Sequence, residues 1–488
     1  MFTSIVWFRR DLRLQDNPAL KAALLTNHPV IAVYIHEPET CEWSMGAASK
    51  WWLHHSLSSL QQALRQRGSD LLIIKGDAEH ELNKLCRKFN SHHVFWNRRY
   101  DPDSIENDTV IKEALLANGI EVKSFNGSLL TEPCAGLKKD GTPYRVFTPY
   151  WKSIQKRGVD LFFFTPPEKF PALPDSIASQ YKQSITSLQL LPDISWTTRI
   201  EKTWQPGEAG AMTHLEEFLD EAIFHYPVER DIPFTRGTSR LSPHLHFGEI
   251  SPWRISQGIQ ECSACNTKTG TIKATEVYQR QLAWRDFAHQ LLYHFPHTAN
   301  EPLDQRFKAF PWKRNYHKPL TQWKQGMTGI PIVDAGMREL RQTGWMHNRV
   351  RMITASLLCK NLLIPWQEGA KWFWDTLVDA DLANNTMGWQ WTAGCGADAA
   401  PFFRIFNPVR QGERFDPQGH YVRNWIPELA ALPNKWIHHP WDAPQEILDQ
   451  AHVLPGKNYP NPIVDLSESR TRALAIWNEL KNTRQHNN

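Results

Sequence analysis

Two hydrophobic rhythms divide the chain. Up to about residue 130, short continuous apolar runs alternate with stretches of helical spacing. Ser4 to Phe8, Val30 to Ile35, Asp70 to Ile74, His93 to Trp96 and Ile120 to Val122 read as strands. Trp51 to Gln66 and the stretch around Ile111 to Ala117 read as helices, with Gly119 standing where a C-cap belongs. Strands that are apolar on both faces need cover on both faces, so the pattern predicts a parallel, doubly wound sheet. Such sheets bind ligands at the carboxyl ends of their strands. Phe8-Arg9-Arg10-Asp11-Leu12-Arg13 follows the first strand, where a GxGxxG turn would stand, so no dinucleotide is expected on this sheet.

From about 131 to 205 the periodicity fails and prolines accumulate (Pro133, Pro143, Pro149, Pro166, Pro167, Pro171, Pro174, Pro192), which predicts a long irregular connector. From about 206 onward the spacing is helical with few strand-like runs, ending in a helix over Thr471 to Lys481 and a short polar tail. The expected organisation is an α/β domain over 1–130, a linker over 131–205 and an all-α domain over 206–488. No internal repeat is present.

Composition narrows the function classes. At 488 residues, 41% hydrophobic and 22% charged, the chain has the totals of an ordinary globular protein, and no apolar run approaches membrane-spanning length. The opening MFTSIVWFRRDLR meets charge too soon for a signal peptide and is expected to be a strand. Seven scattered Cys suit a reduced, cytoplasmic protein. The lone Cys262-Ser263-Ala264-Cys265 is expected in a turn between helices, and no metal site is expected. A net charge of +4 allows a local basic face without demanding one. Tryptophan is the outlier, at 22 residues, many beside Arg, His or Asn, as in Trp345-Met346-His347-Asn348-Arg349. Aromatic faces among guanidinium groups suit planar ligands and bases, although abundant Trp equally fills cores.

Chemistry concentrates in Asp379 to Pro408, DADLANNTMGWQWTAGCGADAAPFFRIFNP. Small residues there (Ala383, Gly388, Ala393, Gly394, Gly396, Ala397, Ala399, Ala400) permit close approach of backbone or a flat ligand. Asp379, Asp381, Asn384 and Asn385 offer acceptors and amides for the edge of a heteroaromatic ring; a packed loop with Trp as filler is the plainer alternative. Gly237-Thr238-Ser239-Arg240-Leu241-Ser242 gathers hydroxyls, backbone N–H groups and an Arg, as a diphosphate cradle or a helix cap would.

These stretches, with VWFRRDLRLQDNPAL, RGTSRLSPHLHFGEISP and TGIPIVDAGMRELRQTGWMHNRVRMITASLL, resemble the motifs of the DNA photolyase/cryptochrome family, in order and over nearly the whole chain. Among its branches the chain is most like the bacterial cyclobutane pyrimidine dimer photolyases. The resemblance implies FAD in the helical domain, contacted by Tyr226, Thr238, Ser239, Arg240, Leu241, Ser242, Tyr278, Arg285, Asn348, Arg351, Asp379, Asp381 and Asn385. Within that set, Arg351 and Asp379 match an ion pair flanking the flavin, Asp381 a carboxylate at its edge, and Asn385 the neighbour of the ring nitrogen that changes protonation on reduction. Trp389, Trp366 and Trp312 match the relay that restores reduced flavin. A second, antenna chromophore, methenyltetrahydrofolate or 8-hydroxy-5-deazaflavin, is implied on the N-terminal sheet. Trp96-Asn97-Arg98-Arg99-Tyr100-Asp101 is a candidate lining for it, or simply a charged loop.

The implied partner is UV-damaged DNA, bound by a monomer in the cytoplasm or on the nucleoid. Arg230, Gln281, Trp284, Asn348, Arg349, Met352, Trp391 and Arg404 match the positions lining the lesion pocket. Helical spacing puts Trp345, Asn348 and Met352 on one face. The implied activity is that of a deoxyribodipyrimidine photo-lyase, a carbon-carbon lyase that splits cyclobutane dimers with an electron from photoexcited reduced FAD. One position departs. The cyclobutane-dimer enzymes carry Glu three residues before the pocket Trp, where this chain has Gln281, as the (6-4) photolyases do. Gln donates and accepts hydrogen bonds but carries no charge. Against the (6-4) class, His347-Asn348 and Met352 follow the cyclobutane pattern. A cryptochrome-type light sensor is the other alternative, and most of the lesion pocket is retained against it.

Overall fold

The computed structural model describes residues 2–38, 42–171, 184–192, 197–265, 270–399 and 403–482. The N-terminal strands are β1 (Thr3–Phe8), β2 (Val30–His36), β3 (Leu71–Lys75), β4 (Ser91–Asn97) and β5 (Glu121–Phe125). They form one sheet in the order β3-β2-β1-β4-β5, with every neighbouring pair parallel. Helices α1 (Pro18–Leu24), α2 (Ala47–Arg65), α3 (Ala78–Phe89) and α4 (Pro102–Ala117) make the crossovers. The doubly wound α/β expectation therefore holds, and so does the helical character of the rest. β1 lies at the centre and is buried along its whole length. Alternation along the strands sends Ile5 and Trp7, Ile31 and Val33, and Val94 and Trp96 to one face, where Leu82, Leu85 and Phe89 of α3 and Ile111 and Leu115 of α4 cover them. Asn17, Asp77 and Asp101 cap α1, α3 and α4 through their side chains, which fixes where each crossover helix begins. Gly119 takes a positive φ of 75°, one residue beyond the C-cap of α4, as its position suggested.

The stretch read as an irregular connector contains a regular helix, Phe147–Arg157. Pro149 lies in its first turn, where a missing N–H costs nothing, so a residue read as a breaker stands at a helix start. A short helix, Thr198–Thr203, and a 3-10 turn, Ile185–Leu188, follow; Pro174 lies outside the described residues. Cys262 and Cys265 fall in the last turn of the helix Pro252–Cys265 and not between helices, and both are free thiols.

The chain forms two compact units. The first comprises Met1–Phe224, Ser239–Pro296 and Val378–Asp381, and holds the sheet and the long helix Thr271–His294. The second comprises His225–Thr238, His297–Leu377 and Leu382–Asn488. Its helices include Pro331–Thr343, Asn348–Ser356, Trp366–Thr376 and Leu382–Ala393, the last two of which carry Trp366, Trp372, Trp374, Trp389 and Trp391. Buried Asp334 anchors this unit. Its carboxylate accepts from the Thr328 and Gly329 backbone N–H groups at 2.7 and 2.9 Å and from the Tyr459 hydroxyl at 2.8 Å. Among the described residues no helix is long and apolar enough to cross a membrane.

Candidate functional site

In the first unit, the loop before the helix Ser242–His246 gives its hydroxyls to neighbours and not to that helix, whose start has no side-chain cap. Ser242 Oγ donates to Asp379 Oδ2 at 2.7 Å, and Tyr278 OH donates to Ser239 Oγ at 2.7 Å. Arg240 sits at φ +53°, a conformation that costs a non-glycine residue and here turns the backbone between the two serines. Leu241 is buried. The plain helix-cap reading is therefore set aside: the hydroxyls link the loop to Tyr278 and Asp379. Asp381, two residues on, faces His289 Nε2 at 3.4 Å and His246 Nδ1 at 3.7 Å. Burial alone would raise its pKa, but the charge of His289 and hydrogen bonding from both histidines hold the carboxyl well below the usual range. Burial, and then the Arg10 charge, push His246 down to about 4 against the pull of Asp381.

The helix Thr271–His294 carries Tyr278, Gln281, Trp284 and Arg285. Gln281 Nε2 bonds back to the Val277 carbonyl at 3.0 Å. Arg285 donates to the Ser128 carbonyl, pinning the helix to the end of the sheet domain. Phe147 stacks on Trp284 at 3.6 Å and 9°. One face of that indole is therefore backed by protein. Neighbouring Asp286 is buried, accepts from Thr131 N at 2.7 Å through Oδ2, and has no partner at Oδ1 among the described residues.

In the second unit, Asn385 lies half-buried on the helix Leu382–Ala393, and its Nδ2 donates to the Ala370 carbonyl at 3.0 Å. With the amide fixed by that bond, Oδ1 is presented as an acceptor that has no partner among the described residues. Trp389 is buried on the same helix, with Phe373 at 4.9 Å and Trp323 at 6.1 Å between ring centroids. A Cβ on Gly369 would stand 2.1 Å from the Trp389 ring, so only glycine lets the helix Trp366–Thr376 approach this indole. Trp366 opens that helix and is buried, whereas Trp312 is half-buried beside Phe310 at 4.4 Å. Lys313 N donates to the Leu363 carbonyl at 2.8 Å, which brings the Trp312 segment beside the turn leading into Trp366. The carboxyl end of the helix Leu382–Ala393 is closed by buried Lys360, whose Nζ donates to the Ala393 carbonyl at 2.7 Å; burial lowers that ammonium to about 7. Ala399 is the last small residue described, and Ala400 lies outside the described residues.

Asn348 and Arg404 are exposed, and Arg349, Met352 and Trp391 are half-buried, so these residues present polar, cationic and aromatic groups to solvent from the second unit. Arg404 lies 5.8 Å over the Trp391 ring and Arg349 pairs with Asp231 at 2.6 Å. Arg230 lies over Tyr226 at 5.3 Å, and Thr238 is half-buried. Arg351 Nε donates to the Met346 carbonyl at 2.7 Å. The helix starts at Asn348 with His347 as its cap, so Trp345 precedes it and does not share the Asn348–Met352 face. Gly344, at φ +66°, had already ended the preceding helix.

Three features escaped the sequence reading. Trp323 is fully buried beside Trp389 and donates to the Thr354 carbonyl at 3.1 Å; its context, TQWKQ, carries no signal. The His246–Asp381–His289 group unites residues far apart in the chain; Asp381 was a candidate and His246 lay within a quoted motif, but His289 carried no signal. The candidate antenna segment after β4 is less a charged loop than a buried network. Asn97 donates to Asp11 Oδ2 and Asn17 Oδ1 at 2.7 and 2.8 Å, and Arg99 pairs with Asp101 at 3.1 Å. Against burial, Arg99 and Arg10 pull the Asp101 carboxyl down to about 2. Burial and then Arg99 lower Arg10 to about 10. Among the described residues no His, Cys, Asp or Glu side chains gather as metal ligands.

Comparison with known proteins identifies the family to which these elements belong. The family model described as DNA photolyase matches residues 4–174, and that described as the FAD binding domain of DNA photolyase matches 278–479. A deoxyribodipyrimidine photo-lyase of Agrobacterium fabrum is 46% identical, over 98% of each chain. Cryptochrome-2 of Arabidopsis thaliana is 39% identical, over 96% of this chain and 77% of its own length. Among solved structures, a bacterial class III photolyase from Agrobacterium tumefaciens superposes with a TM-score of 0.92 at 45% identity, covering 99% of this chain and 98% of that one.

Proposed function

Because the chain belongs to the DNA photolyase/cryptochrome family, we propose that it is a light-driven lyase that repairs cyclobutane pyrimidine dimers in UV-damaged DNA. The observation that carries this reading is the open surface set Asn348, Arg349, Met352, Trp391 and Arg404. A light sensor with no lesion to hold has no need to keep solvent-accessible cationic and aromatic groups on these elements.

The residues suit FAD. Ser239, Ser242 and the Arg240 turn offer hydroxyl and backbone donors for a diphosphate, with Tyr226, Thr238, Leu241, Tyr278 and Arg285 as its further contacts. Asn385 presents Oδ1 as an acceptor for a protonated ring nitrogen, because the bond from Nδ2 to Ala370 fixes which way the amide faces. Asp379, held by Ser242, and Asp381, held ionised by His289 and His246, supply fixed negative charge, with Arg351 as the cation of the family pair. FAD, when bound and reduced, supplies the light-absorbing one-electron donor.

The protein's remaining work is to position and to exclude water. Trp284, backed by Phe147, offers a rigid apolar face to a flipped-out pyrimidine pair. Trp391 offers an indole with Arg404 over it, and Arg230, Arg349 and Arg404 answer phosphates. Gln281 hydrogen-bonds the lesion without charge. Trp389, Trp366 and Trp312 run from buried to half-buried, the order expected of a relay that ends at solvent. A second chromophore is proposed on the sheet domain beside Arg10, Arg99 and Asp101, its identity left open, with the chain acting as a monomer in the cytoplasm.

Dark binding tests the reading. The native chain is expected to bind a duplex with one cyclobutane thymine dimer at least about a hundredfold more tightly than its undamaged copy. Trp391→Ala and Arg404→Ala should each erode that preference. Equal affinity for both duplexes would contradict repair and favour the sensor.

A further inference from the structure

We infer that Phe234 and His420 form a stacking shelf for a nucleobase, and that the base comes from the strand opposite the lesion. The inference rests on the DNA-repair reading and names a further part of its interface. Phe234 is 52% exposed, and Val228, in the last turn of the helix Ile223–Glu229 that precedes its loop, is 70% exposed. The Phe234 ring lies against the exposed imidazole of His420, with centroids 5.0 Å apart and a 45° tilt, so the two make a small aromatic step.

Charge around the step selects its occupant. Arg236, two residues beyond Phe234, is exposed. Across the loop, Asp231 is neutralised by Arg349 at 2.6 Å, and Phe415 lies between two guanidinium groups, Arg349 at 4.5 Å and Arg414 at 5.1 Å. An apolar step on a loop that carries Arg236 and is held by Arg349 fits a π-face attached to phosphates better than an apolar peptide or a second copy of a chain of net charge +4. Arg349 also ties the step to the lesion-facing set, because Asn348 and Arg349 open one helix. Drawing a pyrimidine dimer out of a duplex leaves the bases opposite unpaired and partly unstacked. Those are the bases with a free face to offer, and an aromatic shelf recovers part of the lost stacking whatever their identity.

The test uses the full chain in the dark, with a duplex holding one cyclobutane thymine dimer and the fluorescent base 2-aminopurine opposite it, and with the dimer-bearing single strand alone. Phe234→Ala should weaken duplex binding about tenfold and leave the bound 2-aminopurine brighter than with the native chain, while affinity for the single strand changes less than about twofold. Phe234→Trp should restore both duplex affinity and quenching, which a merely misfolded variant would not permit. Native duplex affinity in Phe234→Ala, or equal weakening of duplex and single strand, would overturn the shelf. A native chain with no preference for the dimer would instead remove the repair reading on which the shelf rests.

Discussion

At the scale of single residues, the site depends on groups held by one well-placed neighbour. Ser242 gives its hydroxyl to Asp379, so Ser242→Ala should weaken flavin retention about three- to tenfold, the size of one lost hydrogen bond to a charge. A fluorescence titration of the apoprotein with FAD reads this directly, and unchanged affinity would show that the bond plays no part in holding the cofactor. Gly369 has no room beside the Trp389 ring, so Gly369→Ala should cost about 1–3 kcal/mol by overpacking, read as a lower thermal midpoint with altered indole fluorescence. Much of the site's membership could be read in advance, because Asn385, Trp389 and the serine loop lie in compact stretches. Their roles could not. That Asn385 donates to the Ala370 carbonyl, or that Ser242 serves Asp379 and not its own helix, depends on where distant backbone arrives. Trp323 was invisible because a buried Trp without a motif looks like any core residue.

At the scale of elements, the strands announced themselves because burial on both faces makes them continuous apolar runs, and the observed bounds of β1 to β4 differ from the pattern by at most two residues at each end, while β5 runs three residues further. The helix Phe147–Arg157 was hidden because proline breaks a helix interior yet suits its first turn, and sequence alone did not say which applied to Pro149. Its consequence is functional, since Phe147 backs Trp284. Phe147→Ala should therefore lower affinity for dimer-containing DNA as well as stability. Binding unchanged after a measured loss of stability would show that the stack is purely structural. The Thr328–Gly329 turn before the helix Pro331–Thr343 hangs on Asp334. Asp334→Ala strands two backbone N–H groups and the Tyr459 hydroxyl, so a loss of about 2–4 kcal/mol is expected in urea unfolding; a loss below about 1 kcal/mol would contradict this anchoring role.

At the scale of the whole molecule, buried carboxyls set how stability follows pH. Burial pushes Asp286 up to about 6, against the pull of Arg285 and the Thr131 N–H. Its folded pKa exceeds its ordinary value of 3.8, so the folded chain holds this proton more tightly than the unfolded chain does. The stabilisation is complete below about 3.8 and is lost as pH rises through about 6. Asp286→Asn imitates the protonated form, so its stability relative to the native chain should rise between pH 4 and 7 and then level, by about 1–3 kcal/mol in all. A difference that does not change with pH would mean that folding does not raise this carboxyl's pKa. The family and its two-part architecture follow from the comparisons and the fold, whereas the choice of lesion rests on Gln281, Asn348 and Met352. The decisive measurement is repair itself: the flavin-loaded, reduced chain illuminated with one oligonucleotide bearing a cyclobutane thymine dimer and another bearing a (6-4) product. The account predicts light-dependent restoration of the cyclobutane dimer alone. Restoration of only the (6-4) product, or of neither lesion while the flavin still photoreduces, would contradict it.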